Sequence, residues 1–126
     1  MARTFIRDSY SDTRGGQSIW INLFCASCGE WLAQYQKDYG APEHSGPLYR
    51  GYLDRFARPK GLVATFRQIH AVTELQPLCC EGCGATVAIP LLYTKESRLA
   101  LEFQRAAVIK RTLDGELYEP TDIHEE

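Results

Sequence analysis

Cys25-Ala-Ser-Cys28-Gly29 and Cys80-Glu-Gly-Cys83-Gly84 are two copies of one short pattern, their cysteine pairs separated by the 51 residues from Gly29 to Cys79. No other feature constrains the chain as tightly. Two residues between cysteines let both sulfurs turn toward one ion at about 2.3 Å, with amides of the turn aimed at them. A glycine after the second cysteine suits a backbone of positive φ, where any other residue would bring a Cβ clash. Two such turns facing each other complete a tetrahedron. A closed four-sulfur shell keeps no position open for water, so the ion is expected to be structural. The expectation is one zinc ion per chain, held by Cys25, Cys28, Cys80 and Cys83.

Three other readings of these cysteines are open. A redox dithiol needs only one pair and usually a helix after it. Rubredoxin-type sites hold iron on the same turns, so iron competes with zinc, whereas iron–sulfur clusters usually show other spacings. A disulfide framework fits poorly with five cysteines, an odd number. Cys79 is the spare thiol. Using it in place of Cys80 would open a three-residue gap and lose the match with the first pair. It is expected to lie beside the site as a packed thiol, with a reactive nucleophile as the lesser reading.

The chain has 126 residues, enough for one domain with short tails, and a formal charge of −2. Four thiolates and a divalent ion would move that charge to about −4. A protein that is basic overall is therefore excluded. No stretch reaches the ~18 apolar residues of a membrane-spanning helix. The opening Met-Ala-Arg-Thr-Phe-Ile-Arg run lacks the apolar core of a secretory signal, so a cytoplasmic location without membrane attachment is expected.

Periodicity places both cysteine pairs at hairpin tips. Ile19, Ile21 and Leu23 share one face of a strand that runs into Cys25, and Trp31 to Gln36 alternates as a second strand. Leu75–Cys79 leads into the second pair and Ala85–Leu92 leads out. Pro77 and Pro90 confine their strands to edges or ends. Residues 38–47 read as a loop. Leu48–Phe56 fits a strand or a short helix, and Leu62–Val72 is an element of uncertain type. Ser97–Leu113 fits a helix or a β-hairpin, and the hairpin is the expectation. The tail from Asp114 to Glu126 is acidic and is expected to be disordered from about Pro120 onward. The predicted organisation is an N-terminal segment 1–18, a zinc-binding domain 19–113 and a tail 114–126, with a mostly β or α+β fold.

The paired CxxCG turns resemble the zinc ribbons. The long insertion between them also resembles the β-tent zinc proteins, which include methionine sulfoxide reductases of B type and cereblon-like domains. Those reductases carry a catalytic cysteine after the metal site. Here no cysteine follows Cys83, so that activity is not carried over. A further likeness is to small bacterial zinc-ribbon proteins, on Tyr35-Gln36-Lys37-Asp38 and Arg50-Gly51-Tyr52-Leu53-Asp54-Arg55 between the two turns. It would cover most of residues 25–110 and implies no activity.

Residues 48–70 hold Arg50, Arg55, Arg58, Lys60 and Arg67 against a single acid, Asp54, interleaved with Tyr49, Tyr52, Phe56 and Phe66. Basic and aromatic residues together can grip single-stranded nucleic acid. The plainer reading is arginines on a solvated face with the aromatics in the core. His44 and His70 are expected to be solvated or satisfied residues. Trp20 and Trp31, flanking the first turn, are expected to pack in the core, with an aromatic pocket as the sharper alternative. No phosphate-binding glycine loop, dinucleotide fingerprint or nucleophile elbow occurs.

The expected function is a non-catalytic structural-zinc module that docks to a protein partner or serves as a small subunit of an assembly. Arg50, Tyr52, Arg55, Arg58 and Arg67 are the candidate contact residues. Nucleic-acid binding through segment 48–70 is the alternative, and an enzyme using Cys79 or a loop histidine is the third. Oligomeric state is open.

Overall fold

A computed structural model describes residues 5–39, 48–104 and 106–112. The fold is mostly β, with two short helices. His44 and the tail from Asp114 lie outside the described residues, as do positions 40–47 of the expected loop. Asp38 and Tyr39 still belong to a strand.

Strand β1 (Gln17–Cys25) and strand β2 (Trp31–Tyr39) form the first hairpin, antiparallel, with Cys25 and Cys28 at its tip. The pairing steps between Leu23 and Phe24, so that Leu23 faces Ala33 while Phe24 faces Trp31 and Leu32 is left over. This one-residue bulge turns Trp31 off the face that Ala33 and Tyr35 occupy. Strand β4 (Phe56–Arg58) pairs with β2, and strand β8 (Val108–Thr112) pairs with β1. The first sheet therefore runs β4-β2-β1-β8.

The second sheet runs β3-β7-β6-β5, from strand β3 (Arg50–Tyr52), strand β5 (Leu78–Cys79), strand β6 (Thr86–Tyr93) and strand β7 (Arg98–Phe103). Cys80 and Cys83 lie between β5 and β6, at the tip of its hairpin. The lead-in strand is shorter than expected, because Leu75–Pro77 is not extended ladder. Pro77 ends just before β5. Pro90 sits past Ala88, the last β6 residue that β5 reaches, so its missing N–H breaks no ladder on that side.

Two segments correct the sequence reading. Leu48–Phe56 is neither one strand nor one helix: β3 and β4 are joined by a 3-10 turn, Leu53–Arg55, and belong to different sheets. Among the described residues of 97–113 there are two strands and no helix, but β7 and β8 do not pair with each other. Alternation along the chain reveals a strand, but not which neighbour it will find. The uncertain element after Pro59 is helix α2 (Lys60–Arg67), whose Leu62, Val63 and Phe66 turn toward the core at helical spacing.

The main core draws on both sheets and α2. Ile21 and Leu23, Ala33 and Tyr35, Phe56, Phe66, Ala88, Leu101 and Phe103 form one buried cluster. Gly51 is fixed by this packing, since a Cβ there would stand 2.8 Å from the Phe56 ring and 3.0 Å from Phe103.

Residues ahead of β1 are part of the same fold. Asp8 caps helix α1 (Ser9–Thr13) by accepting from the Tyr10 and Ser11 amides, and Ser11 Oγ accepts from the Asp8 amide in return. Phe5 stacks on Trp20, their ring centres 4.7 Å apart. No described helix is long and apolar enough to cross a membrane.

Candidate metal centre

The first cysteine turn is closed by two backbone bonds, Cys25 N to Glu30 O and Gly29 N to Cys25 O, each 2.8 Å. The second repeats them as Cys80 N to Ala85 O at 2.8 Å and Gly84 N to Cys80 O at 2.7 Å. Gly29 and Gly84 adopt φ of 82° and 80°, the left-handed region that the trailing glycines were expected to serve.

The four sulfurs of Cys25, Cys28, Cys80 and Cys83 all lie within 4.8 Å of one another. Across the two turns, Cys25 Sγ is 3.7 Å from Cys83 Sγ, and Cys28 Sγ is 3.5 Å from Cys80 Sγ. A tetrahedron of sulfurs at about 2.3 Å from a centre has edges of about 3.8 Å, so the donor set fits one thiophilic ion. Cys25 and Cys80 are buried, and Cys28 and Cys83 face outward.

The electrostatics call for a cation. The Cys28 amide directed at its sulfur is the main reason that the Cys25 thiol drops to about 7, against the opposing effect of burial. The Glu30 amide favours a thiolate at Cys28, yet the Cys80, Cys83 and Cys25 thiols, together with burial, push that group up to about 12. Cys83 is also raised: the Ala85 amide lowers it, and its contacts with Cys25 and Cys80 outweigh that. Cys25 ionises readily while Cys28 and Cys83 resist. A bound divalent ion eases that conflict by favouring the thiolate form at every ligand sulfur, while leaving a net charge of about −2 at the site.

Cys79 stands outside the cluster. It is exposed, with Sγ 3.6 Å from Thr86 Oγ1. The packed thiol expected there is thus a surface one. Register through Cys80, as the trailing glycine implied, is the one that brings four sulfurs together.

The arginines of segment 48–70 do not share one exposed face. Arg55 is 2% exposed, which corrects its place among the exposed contact candidates. Its Nε donates to Asp38 at 3.0 Å, while its two terminal nitrogens reach Asp8 at 2.7 Å and Asp54 at 3.2 Å. Tyr52 is buried too, and its hydroxyl accepts from Arg14 at 2.7 Å and Arg50 at 3.1 Å. Arg50 is half-buried over the Tyr93 ring, and Arg58 is half-buried at the end of β4. Arg67 is exposed. Phe56 and Phe66 are core, as the plainer reading held, while Tyr49 is 65% exposed.

The runs Tyr35-Gln36-Lys37-Asp38 and Arg50-Gly51-Tyr52-Leu53-Asp54-Arg55 meet here. Arg55 bonds Asp38, and the Tyr52 amide donates to the Tyr35 hydroxyl at 2.8 Å. Their joint work is to lock β2 to the β3–β4 connection. Asp54 continues the network to Arg98, which lies against the rings of Tyr10 and Tyr52, and Glu96 joins Arg98 to Arg14. His70 is exposed, its amide bonded to Glu74.

Sequence reasoning missed the surface next to the metal centre. A groove of about 410 Å³ is lined by Glu30, Trp31, Leu32, Leu62, Leu78 and Glu81, among others. Cys79 opens onto it. Trp31 is held there by the bulge and by its Nε1 donating to Asn22 Oδ1 at 2.9 Å. Trp20, by contrast, is buried as expected. The signal available in the sequence was Glu30 and Glu81 standing at or within the two cysteine turns.

Comparison of the chain with family models, with curated proteins and with solved structures finds no match.

Proposed function

We propose that this chain is a non-catalytic protein-docking module whose two sheets are fastened by one structural zinc ion. The observation that carries the reading is the origin of the ligands. Cys25 and Cys28 come from the β1–β2 hairpin of one sheet, and Cys80 and Cys83 come from the β5–β6 hairpin of the other. An ion bound there cross-links the two sheets, and four thiolates around it leave no position for a substrate. The likeness of the paired turns to zinc ribbons supports zinc, with iron on the same donors as the alternative.

The nucleic-acid alternative loses its main support, because Arg55 and Tyr52 are engaged inside the fold. The enzyme alternative is also weakened. Thr86, the hydrogen-bonding neighbour of Cys79, is no base for activating a thiol. Docking fits a rigid frame with a preformed groove at its seam.

The test is capture of the tagged, zinc-loaded chain from its native host. A stoichiometric protein partner should co-elute with the wild type and be lost with Cys80→Ser. Elution alone, or with nucleic acid absorbing at 260 nm, would contradict the proposal.

A further inference from the structure

We infer that the groove beside the metal centre receives a basic segment of a protein partner, one that sets a lysine or arginine next to an apolar anchor. This rests on the docking reading and names the chemistry of its partner. The floor is apolar: Trp31, Leu32, Leu62 and Leu78 face the cavity of about 410 Å³. That volume suits one or two large side chains rather than a flat contact. Trp31, one of the lining residues, is orientated in advance by its bond to Asn22, and an indole is the aromatic group that attracts a cation best.

The rim supplies the sign. Glu30 and Glu81 both line the groove and both are exposed. Neither carboxylate has an ion-pair partner among the described residues. Glu30 extends across the second turn, its Oε1 only 3.0 Å from where a Cβ on Gly82 would stand. Both acids therefore sit over the same end of the groove. A divalent ion on four thiolates leaves two further negative charges at that end. Lys60, exposed at the start of α2, and Arg58, half-buried at the end of β4, adjoin the lining residues Pro59 and Gly61 in sequence, and neither lines the groove itself. The chain's own tail is an unsuitable occupant, since Asp114 to Glu126 carries six acids and no lysine or arginine. A nucleic-acid backbone has the wrong sign as well.

The experiment is selection of random displayed dodecapeptides on the full, zinc-loaded chain. The best binders are then made as labelled peptides and measured by fluorescence anisotropy. Enriched sequences should pair lysine or arginine with leucine, phenylalanine or another large apolar residue. The double substitution Glu30→Gln, Glu81→Gln should weaken them about five- to tenfold, as expected for two partly exposed ion pairs. Leu62→Ser should weaken them with charge unchanged, and about 0.5 M salt should weaken the wild type toward the double variant. Zinc content, checked in every variant, separates lost binding from lost folding.

No enrichment, enrichment of acidic or uncharged peptides, or binding indifferent to both sets of substitutions would overturn the inference. A host partner that binds the wild type and the groove variants equally would leave docking standing and remove the groove from it. Absence of both partner and peptides would end both readings.

Discussion

Arg55 shows how a residue that reads as surface becomes an internal fastener. Its side chain is 1% exposed and that of its partner Asp38 is 4% exposed, the latter also accepting from Ser18 at 2.6 Å and Gln36 at 2.8 Å. Removing one member of such a pair strands the other charge without solvent. Arg55→Ala is expected to lower unfolding free energy by about 3–5 kcal/mol in urea titrations at constant zinc. The same network sets an acid limit. Asp8 lies below its ordinary 3.8, chiefly because it accepts from Arg55. Burial alone would raise Glu96, but Arg14 and Arg98 outweigh it and hold that group below its ordinary 4.5. Both folded values are depressed, so the stabilisation is complete above the ordinary values and is lost as pH falls through the lower folded ones. The network's contribution to the urea midpoint should hold from neutral pH to about 5 and decline below it. Glu96→Gln should decline less steeply. Comparing the two at each pH removes the shared effect of thiolate protonation on metal binding.

At the scale of elements, legibility followed how local the cause was. The cysteine turns, β1, β2 and β6 could be read directly, because their spacing, glycines and alternation lie within a few residues. The three-residue strands β3 and β4 could not, being too short to show a period, and their assignment to different sheets is decided by distant partners. The split of residues 97–112 between two sheets has the same origin. Helix α1 left a faint signal, Asp8 followed three residues later by Ser11, which only the reciprocal hydrogen bonds make plain. Arg55 was misread because composition cannot tell a solvated arginine from one enclosed by Asp8, Asp38 and Asp54. The groove was missed because the bulge that re-aims Trp31 arises from pairing rather than from sequence period. The turns themselves make a direct prediction. Around Gly84 no atom lies within 4 Å of a built Cβ, so a side chain there would meet strain of the backbone alone. Gly84→Ala should cost about 1–2 kcal/mol, measured as weaker zinc retention against a competing chelator.

The described residues of the whole molecule form two small sheets joined along a shared core, with four sulfurs gathered at one end where a single ion would pin them. A chain of 126 residues buries only about two-thirds of its unfolded surface, so a cross-link between sheets matters to it. Structural zinc sites of this kind contribute on the order of 10 kcal/mol to folding in small domains. On the proposed reading, an ion bound there would also order the turns that carry Glu30 and Glu81, which ties the proposed docking surface to the metal. The whole account therefore depends on which sulfurs bind. Elemental analysis of the purified wild type, Cys79→Ser and Cys80→Ser decides it most directly. The expected result is one zinc per chain in the first two, and none in Cys80→Ser. Full zinc retained in Cys80→Ser, or a cooperatively folded wild type that carries no metal, would contradict it.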